Sequence, residues 1–290
     1  MRLLPTVADP AKARFYLFSA LSLAILAVAL LGPYLVPNDP LKSNFKIVNQ
    51  PPSAEFPFGT DKLGRCLFSR VVCGARVTIF SSLILVAIIF AFGTTVGVVS
   101  SYVGGRLDTL CMRLTDIVLA FPDMVLAIAV AGFIGGGLTN AIITLSCVSW
   151  TKYARLARSQ VLALREQSFV EAARLSGNTG PQVIARHILP NAMGPLVVTA
   201  ALDVGTMIIG VAGLSFLGLG VSPPTPEWGA MLNEGRSYFQ QYPGTILFPA
   251  VAIFLSIMVF NLFGDSLRDW LGPRPMEAAV KQKKYANYGQ

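Results

Sequence analysis

The chain has 290 residues, of which 53% are hydrophobic and only 13% are charged, with a mean hydropathy of +0.60. Soluble domains carry about 25% charged residues, so this composition excludes an ordinary soluble protein and predicts an all-helical membrane protein with several spans. The formal net charge of +8 does not indicate nucleic-acid binding, because cytoplasmic loops of membrane proteins gather Lys and Arg.

The first half of the chain predicts three spans. A short basic leader at 1–14 precedes a first span over 15–36, because about 20 apolar residues match a bilayer core. A polar, proline-rich external loop follows at 37–76, and the apolar periodicity of its second half is typical of an interfacial helix. The second span is predicted over 77–102, and a glycine-rich turn leads into the third over 107–132.

The second half predicts three more spans. The fourth covers 138–158, the fifth 196–220 and the sixth 243–264, with a second external loop at 221–242 and a polar tail at 265–290. The last two turns of the fourth span carry three basic residues whose long stems can snorkel to the membrane surface, Lys152, Arg155 and Arg158.

The distribution of basic residues predicts the orientation. Six spans place both termini on one side, and sixteen of the 23 Lys and Arg residues fall on that side. By the positive-inside rule both termini are therefore expected in the cytoplasm. The external loop at 37–76 holds six of the remaining seven basic residues and argues in the opposite direction.

A polar segment at 165–190 separates the fourth and fifth spans and predicts two short helices. Gly177 is placed to end the first helix in a left-handed conformation. The pair Gly180–Pro181 suits the start of the second helix, and Pro190 and Pro195 are expected to break the chain before the next span. Such an amphipathic pair predicts a docking surface; the alternative is a helix lying among the lipid headgroups.

The polar segment also carries a family resemblance. Glu171-Ala172-Ala173, then Gly177, then Ile188-Leu189-Pro190, resembles the EAA loop of ABC importer permeases. In that family the loop carries a coupling helix that sits in a cleft of a separate ATPase subunit. The resemblance therefore implies six residues that couple this chain to an ATPase: Glu171, Ala172, Ala173, Gly177, Ile188 and Pro190.

Further segments are similar to the second permease subunit of dipeptide, oligopeptide and nickel importers, namely 58–76, 104–122, 214–232 and 261–275. Cys66 stands where the family pattern has Asp, and Gly272 where it usually has Asp before proline. The resemblance implies a type I importer fold in a bacterial inner membrane, with a permease core over 77–264. Its implied partners are a homologous permease, two ATPase subunits that hold ATP and magnesium, an external solute-binding protein and membrane lipid.

The cargo is expected within the same family. Three short segments, 138–140, 202–205 and 211–213, are similar to the nickel or metallophore branch. We therefore expect nickel or a metal chelate as cargo, with a dipeptide or oligopeptide as the alternative.

Two carboxylates fall inside predicted spans, Asp203 and Asp123. A carboxylate at mid-membrane costs roughly 2.5–3.5 kcal/mol on insertion scales, so each is expected to face a partner or water. Both are candidate residues of the translocation path, where they would favour cationic cargo. The alternative is that they pair with Arg113 or with polar groups of a partner subunit and only fix packing.

Motifs for chemistry within the chain are absent from the sequence. It has no GxxxxGKS/T loop, no HExxH, no nucleophile elbow, no CxxC pair and a single histidine, His187. We therefore expect no catalytic, cofactor or metal site in this chain. The alternatives to a permease are a secondary transporter supported by Asp123 and Asp203, a membrane scaffold without a path, and an integral-membrane enzyme.

Overall fold

A computed structural model describes residues 10–272, and the regular elements among them are helices. The all-helical class is therefore confirmed for this part of the chain. The predicted leader before residue 10 and the predicted tail after residue 272 lie outside the described residues.

Ten α-helices follow one another along the described residues. They are α1 (Pro10–Leu35), α2 (Leu67–Val103), α3 (Gly105–Leu119), α4 (Asp123–Ile134), α5 (Leu138–Leu164), α6 (Ser168–Leu175), α7 (Gly180–Val183), α8 (Leu189–Phe216), α9 (Trp228–Gly235) and α10 (Gly244–Leu271). One π-helical turn, Ile184–Ile188, joins α7 to α8.

Four of the described helical segments are long and apolar enough to cross a membrane: Ala11–Leu35, Leu67–Val103, Gly180–Phe216 and Gly244–Leu271. A fifth span results if the bent pair α3–α4 is counted as one. The predicted fourth span corresponds to α5, which has 27 residues but carries charged residues in its second half. Several spans are thus present by length and composition.

The predicted third span consists of two helices. Between α3 and α4 the chain bends by 90° at Ala120, Phe121 and Pro122. Pro122 has no backbone N–H to donate, and it disfavours helical geometry at Phe121. The proline therefore ends one helix, and its own φ of −59° and ψ of 125° start the next.

The predicted break at Pro190 and Pro195 is wrong, because the helix continues through both residues. The π turn explains how Pro190 is accommodated, since Leu189 N–H bonds to the carbonyl of Ile184, five residues back. This wider turn displaces the carbonyls that a proline ring would otherwise meet. The Asn191 side chain then donates to the His187 carbonyl at 2.6 Å.

Helices α2 and α5 form the most extensive contact of the fold. Gly93 and Gly97 let the two backbones approach, because a Cβ at Gly97 would lie 2.3 Å from the carbonyl oxygen of Ala154. Tyr153, Ala154 and Ala157 on this face of α5 are fully buried. The opposite face of α5 is thereby left to carry its charged side chains.

Candidate functional site

The polar segment at 165–190 folds as a helix pair against the end of α2. In α6, Val170 and Ala173 are buried, whereas Glu171 and Ala172 are exposed. This division follows the amphipathic spacing of the helix, with the apolar positions turned toward the chain's own core. Glu171 and Ala172 are therefore available to a partner.

Gly177 ends α6 as predicted. Its φ is +84°, and a Cβ placed on it would meet no atom within 4 Å. The glycine is thus required by the backbone conformation and not by crowding. Beyond it, α7 begins at Gly180 with Pro181 in its first turn, and the Thr179 N–H donates to the Gln182 side chain at 2.8 Å.

Tyr102 at the end of α2 anchors the helix pair. The Arg174 guanidinium lies 5.6 Å from the centre of the Tyr102 ring, within the range of a cation–π contact. A Cβ on Gly180 would lie 3.3 Å from the same ring, and Arg165 donates to the Ser101 carbonyl at 3.4 Å. The polar segment is therefore attached to a spanning helix.

The six predicted coupling residues separate into two groups. Glu171, Ala172, Gly177 and Pro190 are exposed, whereas Ala173 and Ile188 are buried. Ile188 is fully buried, so it can position the segment but cannot touch a partner. Leu175 at the end of α6 has 84% of its surface exposed and adds an apolar contact point beside Glu171.

A second candidate group is the basic row of α5, which we define as Lys152, Arg155 and Arg158. Arg158 holds Asp108 of α3 with two parallel bonds of 2.8 Å. Arg155 contacts Asp116 of α3 at 2.6 Å. Each of the three side chains thus ends on a carboxylate of another helix.

Asp203 is paired with the third member of the row. Its Oδ1 accepts a hydrogen bond of 2.5 Å from the Lys152 ammonium, and its side chain is 3% exposed. The pairing with Arg113 that was considered as an alternative is replaced, within the part of the chain that the structure describes, by this pairing with Lys152. Lys152 was missed as a partner because 51 residues separate it from Asp203.

Asp123 lies at the 90° bend. It is the first residue of α4, is exposed, and makes no hydrogen bond or ion pair among the described residues. A carboxylate in the first turn of a helix is favoured by the helix dipole. The structure therefore places Asp123 at a helix start and separates it from the Asp203–Lys152 pair.

Sequence reasoning missed a buried Arg–acid cluster, which we define as Asp61, Arg65, Arg70 and Glu234. Arg65 contacts Asp61 at 2.6 Å and Glu234 at 2.8 Å, and Arg70 contacts Glu234 at 2.9 Å. Both arginine side chains are 1% exposed. The cluster joins the predicted external loop at 37–76 to α9. The six basic residues of that loop were the sequence feature from which the cluster could have been predicted.

Among residues 10–272 no group of three or more His, Cys, Asp and Glu side chains could hold a metal ion. The four cysteines are free thiols, two of them buried. The candidate site in the described residues therefore consists of helix contacts and ion pairs.

Comparison with known sequences identifies related proteins. The family "binding-protein-dependent transport system inner membrane component" matches residues 90–276. The dipeptide transport system permease protein DppC of Alkalihalophilus pseudofirmus is 42% identical over 251 residues, covering 87% of this chain and 83% of that protein. The glutathione transport system permease protein GsiD of Escherichia coli O1:K1 is 43% identical over 251 residues, covering 86% of this chain and 83% of that protein.

A solved structure has a related fold. A chain of the MetNI methionine ABC transporter in an inward-facing conformation matches with a TM-score of 0.59 and 21% sequence identity. The match covers 71% of this chain and 98% of the other. At this identity the likeness concerns the fold alone.

Proposed function

The chain belongs to the family of binding-protein-dependent transport system inner membrane components, and on that premise we propose that it carries short peptides inward. It is a permease subunit of an ABC importer, a non-catalytic component of the inner membrane. Such a permease works with an ATPase and a substrate-binding protein. What remains to be proposed is its cargo, its assembly and the residues that do the work.

The relatives favour peptide cargo. One is a dipeptide permease and another a glutathione permease, and each is more than 40% identical over more than four-fifths of this chain. This identity is the observation that carries the proposal. Nickel, which the short segments of α5 and α8 favoured, has no support from these relatives, and we place it second.

We propose that the polar segment couples the permease to the ATPase. Glu171 and Ala172 lie on an exposed face, with Leu175 next to them, and Pro190 is exposed at the start of α8. Ala173, Gly177 and Ile188 would act indirectly, by setting the depth and direction of α6. The cation–π contact with Tyr102 supports a segment that moves together with α2.

The assembly and topology follow the same proposal. We count six spans, with α3–α4 and α5 each taken as one, so both termini would lie on one side, and the distribution of basic residues favours the cytoplasm. A homologous second permease would form the other half of the path, and two ATPase subunits that bind ATP and magnesium would dock on the polar segments. An external solute-binding protein would deliver the cargo to the side of the Arg–acid cluster.

In the proposed mechanism ATP closes the ATPase dimer and displaces the polar segments. The permeases then rock as rigid bodies and open a central path to alternate sides of the membrane. Asp203 and Asp123 remain the proposed path residues. Asp203 acts there as part of an ion pair with Lys152, whereas Asp123 is a single charge at the bend.

Uptake in a strain that lacks this chain tests the cargo. We expect restoring the chain to restore uptake of labelled dialanine, with glutathione and nickel measured in parallel. Nickel uptake restored without peptide uptake would reject the peptide proposal and favour the metal branch. A chain that carries both Glu171→Ala and Gly177→Leu is the control. It should fail to restore uptake, because uptake depends on coupling to the ATPase.

A further inference from the structure

In the ion pair between Lys152 of α5 and Asp203 of α8, the lysine carries the exposed charge. The Lys152 side chain is 54% exposed, whereas Asp203 is 3% exposed. The carboxylate is therefore enclosed by protein and the ammonium is presented at the surface of the chain. A solute that passes this pair meets a cation, although the sequence suggested an anion.

The position of the pair along its two helices makes lipid a costly environment for it. Lys152 lies about 21 Å along α5 from Leu138, and Asp203 about 21 Å along α8 from Leu189. The hydrocarbon core is about 30 Å thick. A lysine facing acyl chains at such a depth would cost roughly 2.5–3.5 kcal/mol. This cost favours water or polar protein over lipid beside this face of α5.

The next helical turn of α5 also carries an exposed ion pair. Arg155 and its partner Asp116 are 51% and 52% exposed, so both charges of that pair are at the surface. Two adjacent ion pairs on one face of a spanning helix form a hydrophilic strip. A water-filled path would accommodate both pairs.

The ammonium has hydrogen-bonding capacity to spare. Of its three donors, one is used by Asp203 Oδ1. The buried hydroxyl of Tyr153 also interacts with the Asp203 carboxylate, so α5 holds this carboxylate through two side chains. The Lys152 ammonium can therefore bind a second acceptor while Asp203 stays in place.

We propose that Lys152 binds a carboxylate of the peptide cargo in the translocation path, with Asp203 holding the ammonium in position. This inference rests on the peptide cargo proposed above. A lysine offers a charge-assisted hydrogen bond to a carboxylate. Asp203 competes for the same ammonium, so the cargo is bound weakly enough to leave, as transport requires.

Cysteine labelling tests the position of Lys152 independently of the cargo. The complete importer carrying Lys152→Cys is treated with a water-soluble, anionic thiol reagent, without nucleotide and with ATP trapped. We expect labelling in at least one state, above the background of the four native free cysteines. Phe254→Cys, on an apolar face of α10 with 64% exposure, is the control that should stay unlabelled. Absence of labelling at position 152 in both states would overturn the inference.

Transport by charge variants tests the role of Lys152. In proteoliposomes holding the complete importer, Lys152→Gln is expected to slow dialanine uptake about tenfold, the value of one charge-assisted bond. Lys152→Arg should retain most of the uptake, since it preserves the positive charge. Stimulation of the ATPase by the binding protein should persist in both variants, because the polar segment is intact.

The double variant Lys152→Gln/Asp203→Asn separates binding from packing. If Lys152 only neutralises Asp203, removing both charges should restore uptake, and that result would overturn the inference. Carboxylate binding predicts that uptake stays low. Failure of the unmodified importer to carry dialanine would instead reject the proposed cargo, while the labelling result would still decide where Lys152 lies.

Discussion

The hydroxyl of Thr78 in α2 donates a hydrogen bond of 3.0 Å to the buried carboxylate of Glu227, which precedes α9. The same hydroxyl accepts the backbone N–H of Trp228 at 3.2 Å. Glu227 in turn accepts the N–H groups of Gly229 and Ala230 at 3.0 and 2.8 Å. One threonine thus connects the central spanning helix to the capped start of α9.

Thr78→Val should destabilise the protein because it removes both hydrogen bonds without changing the volume of the side chain. Leaving buried partners unsatisfied costs about 1–3 kcal/mol, which a thermal melt of the purified chain in detergent would detect. Thr95→Val is the matched control, since Thr95 is exposed and its hydroxyl donates to the Ala91 carbonyl of its own helix. Equal melting shifts in the two variants would contradict the role of Thr78.

Glu227 predicts a pH dependence of stability. Burial raises the pKa of its carboxyl above the ordinary value of 4.5, although the hydrogen bonds it accepts oppose this shift. The folded protein therefore binds this proton more tightly than the unfolded chain, so stability should fall as the pH rises from 4.5 through the raised pKa. Glu227→Gln should remove this part of the slope, and an unchanged slope would refute the assignment.

Glu234→Gln should weaken the attachment of the segment before α2 to α9. The substitution leaves two arginine side chains, each 1% exposed, without part of their counter-charge. Removing one partner of a buried ion pair typically costs about 3–5 kcal/mol. Limited proteolysis should then cut the 37–66 region faster, whereas Glu55→Gln, at an exposed position, should leave the rate unchanged.

Gly177→Ala should impair coupling through the backbone. At a φ of +84° a Cβ has space but is conformationally strained, at a cost of about 1–2 kcal/mol. We expect reduced stimulation of the ATPase in the reconstituted importer with normal membrane insertion. Gly194→Ala is the control, because Gly194 lies within α8 without a positive φ and also has free space. Full stimulation in Gly177→Ala would contradict the proposal.

Glu171→Ala tests the docking surface itself. Removing an exposed carboxylate from α6 should lower ATPase stimulation and uptake together, since the partner loses a charge-assisted contact. Stability of the isolated chain should not change, because the exposed Glu171 side chain forms no hydrogen bond or ion pair within residues 10–272. Asp265→Ala removes an exposed carboxylate near the end of α10 and should leave stimulation intact. A similar decrease in both variants would argue for a general charge effect.

Local features of the fold were predictable from the sequence, because hydropathy and glycine placement act over a few residues. Composition predicts the all-helical class, and the position of Gly177 predicts the left-handed end of α6. The break expected at Pro190 failed because a π turn, which has no sequence signature here, changes the hydrogen-bond register before the proline.

Partners of charged residues were not predictable, because they are set by packing between distant helices. Arg65 and Glu234 are 169 residues apart, and Arg158 and Asp108 are 50 residues apart. The sequence showed that Asp203 needed a partner at its depth in the membrane, but several basic residues qualified. Only the contact between α5 and α8 selects Lys152.

The continuous helical segment Gly180–Phe216 has a mechanical consequence. Its 37 residues form a helical rod about 55 Å long that includes the π turn Ile184–Ile188. At its far end the rod meets α9 backbone to backbone, because a Cβ on Gly229 would lie 2.1 Å from the Ala212 carbonyl oxygen. A tilt imposed at Gly180 would therefore be transmitted to α9, and a displacement of α9 would be transmitted back to the Gly180 end.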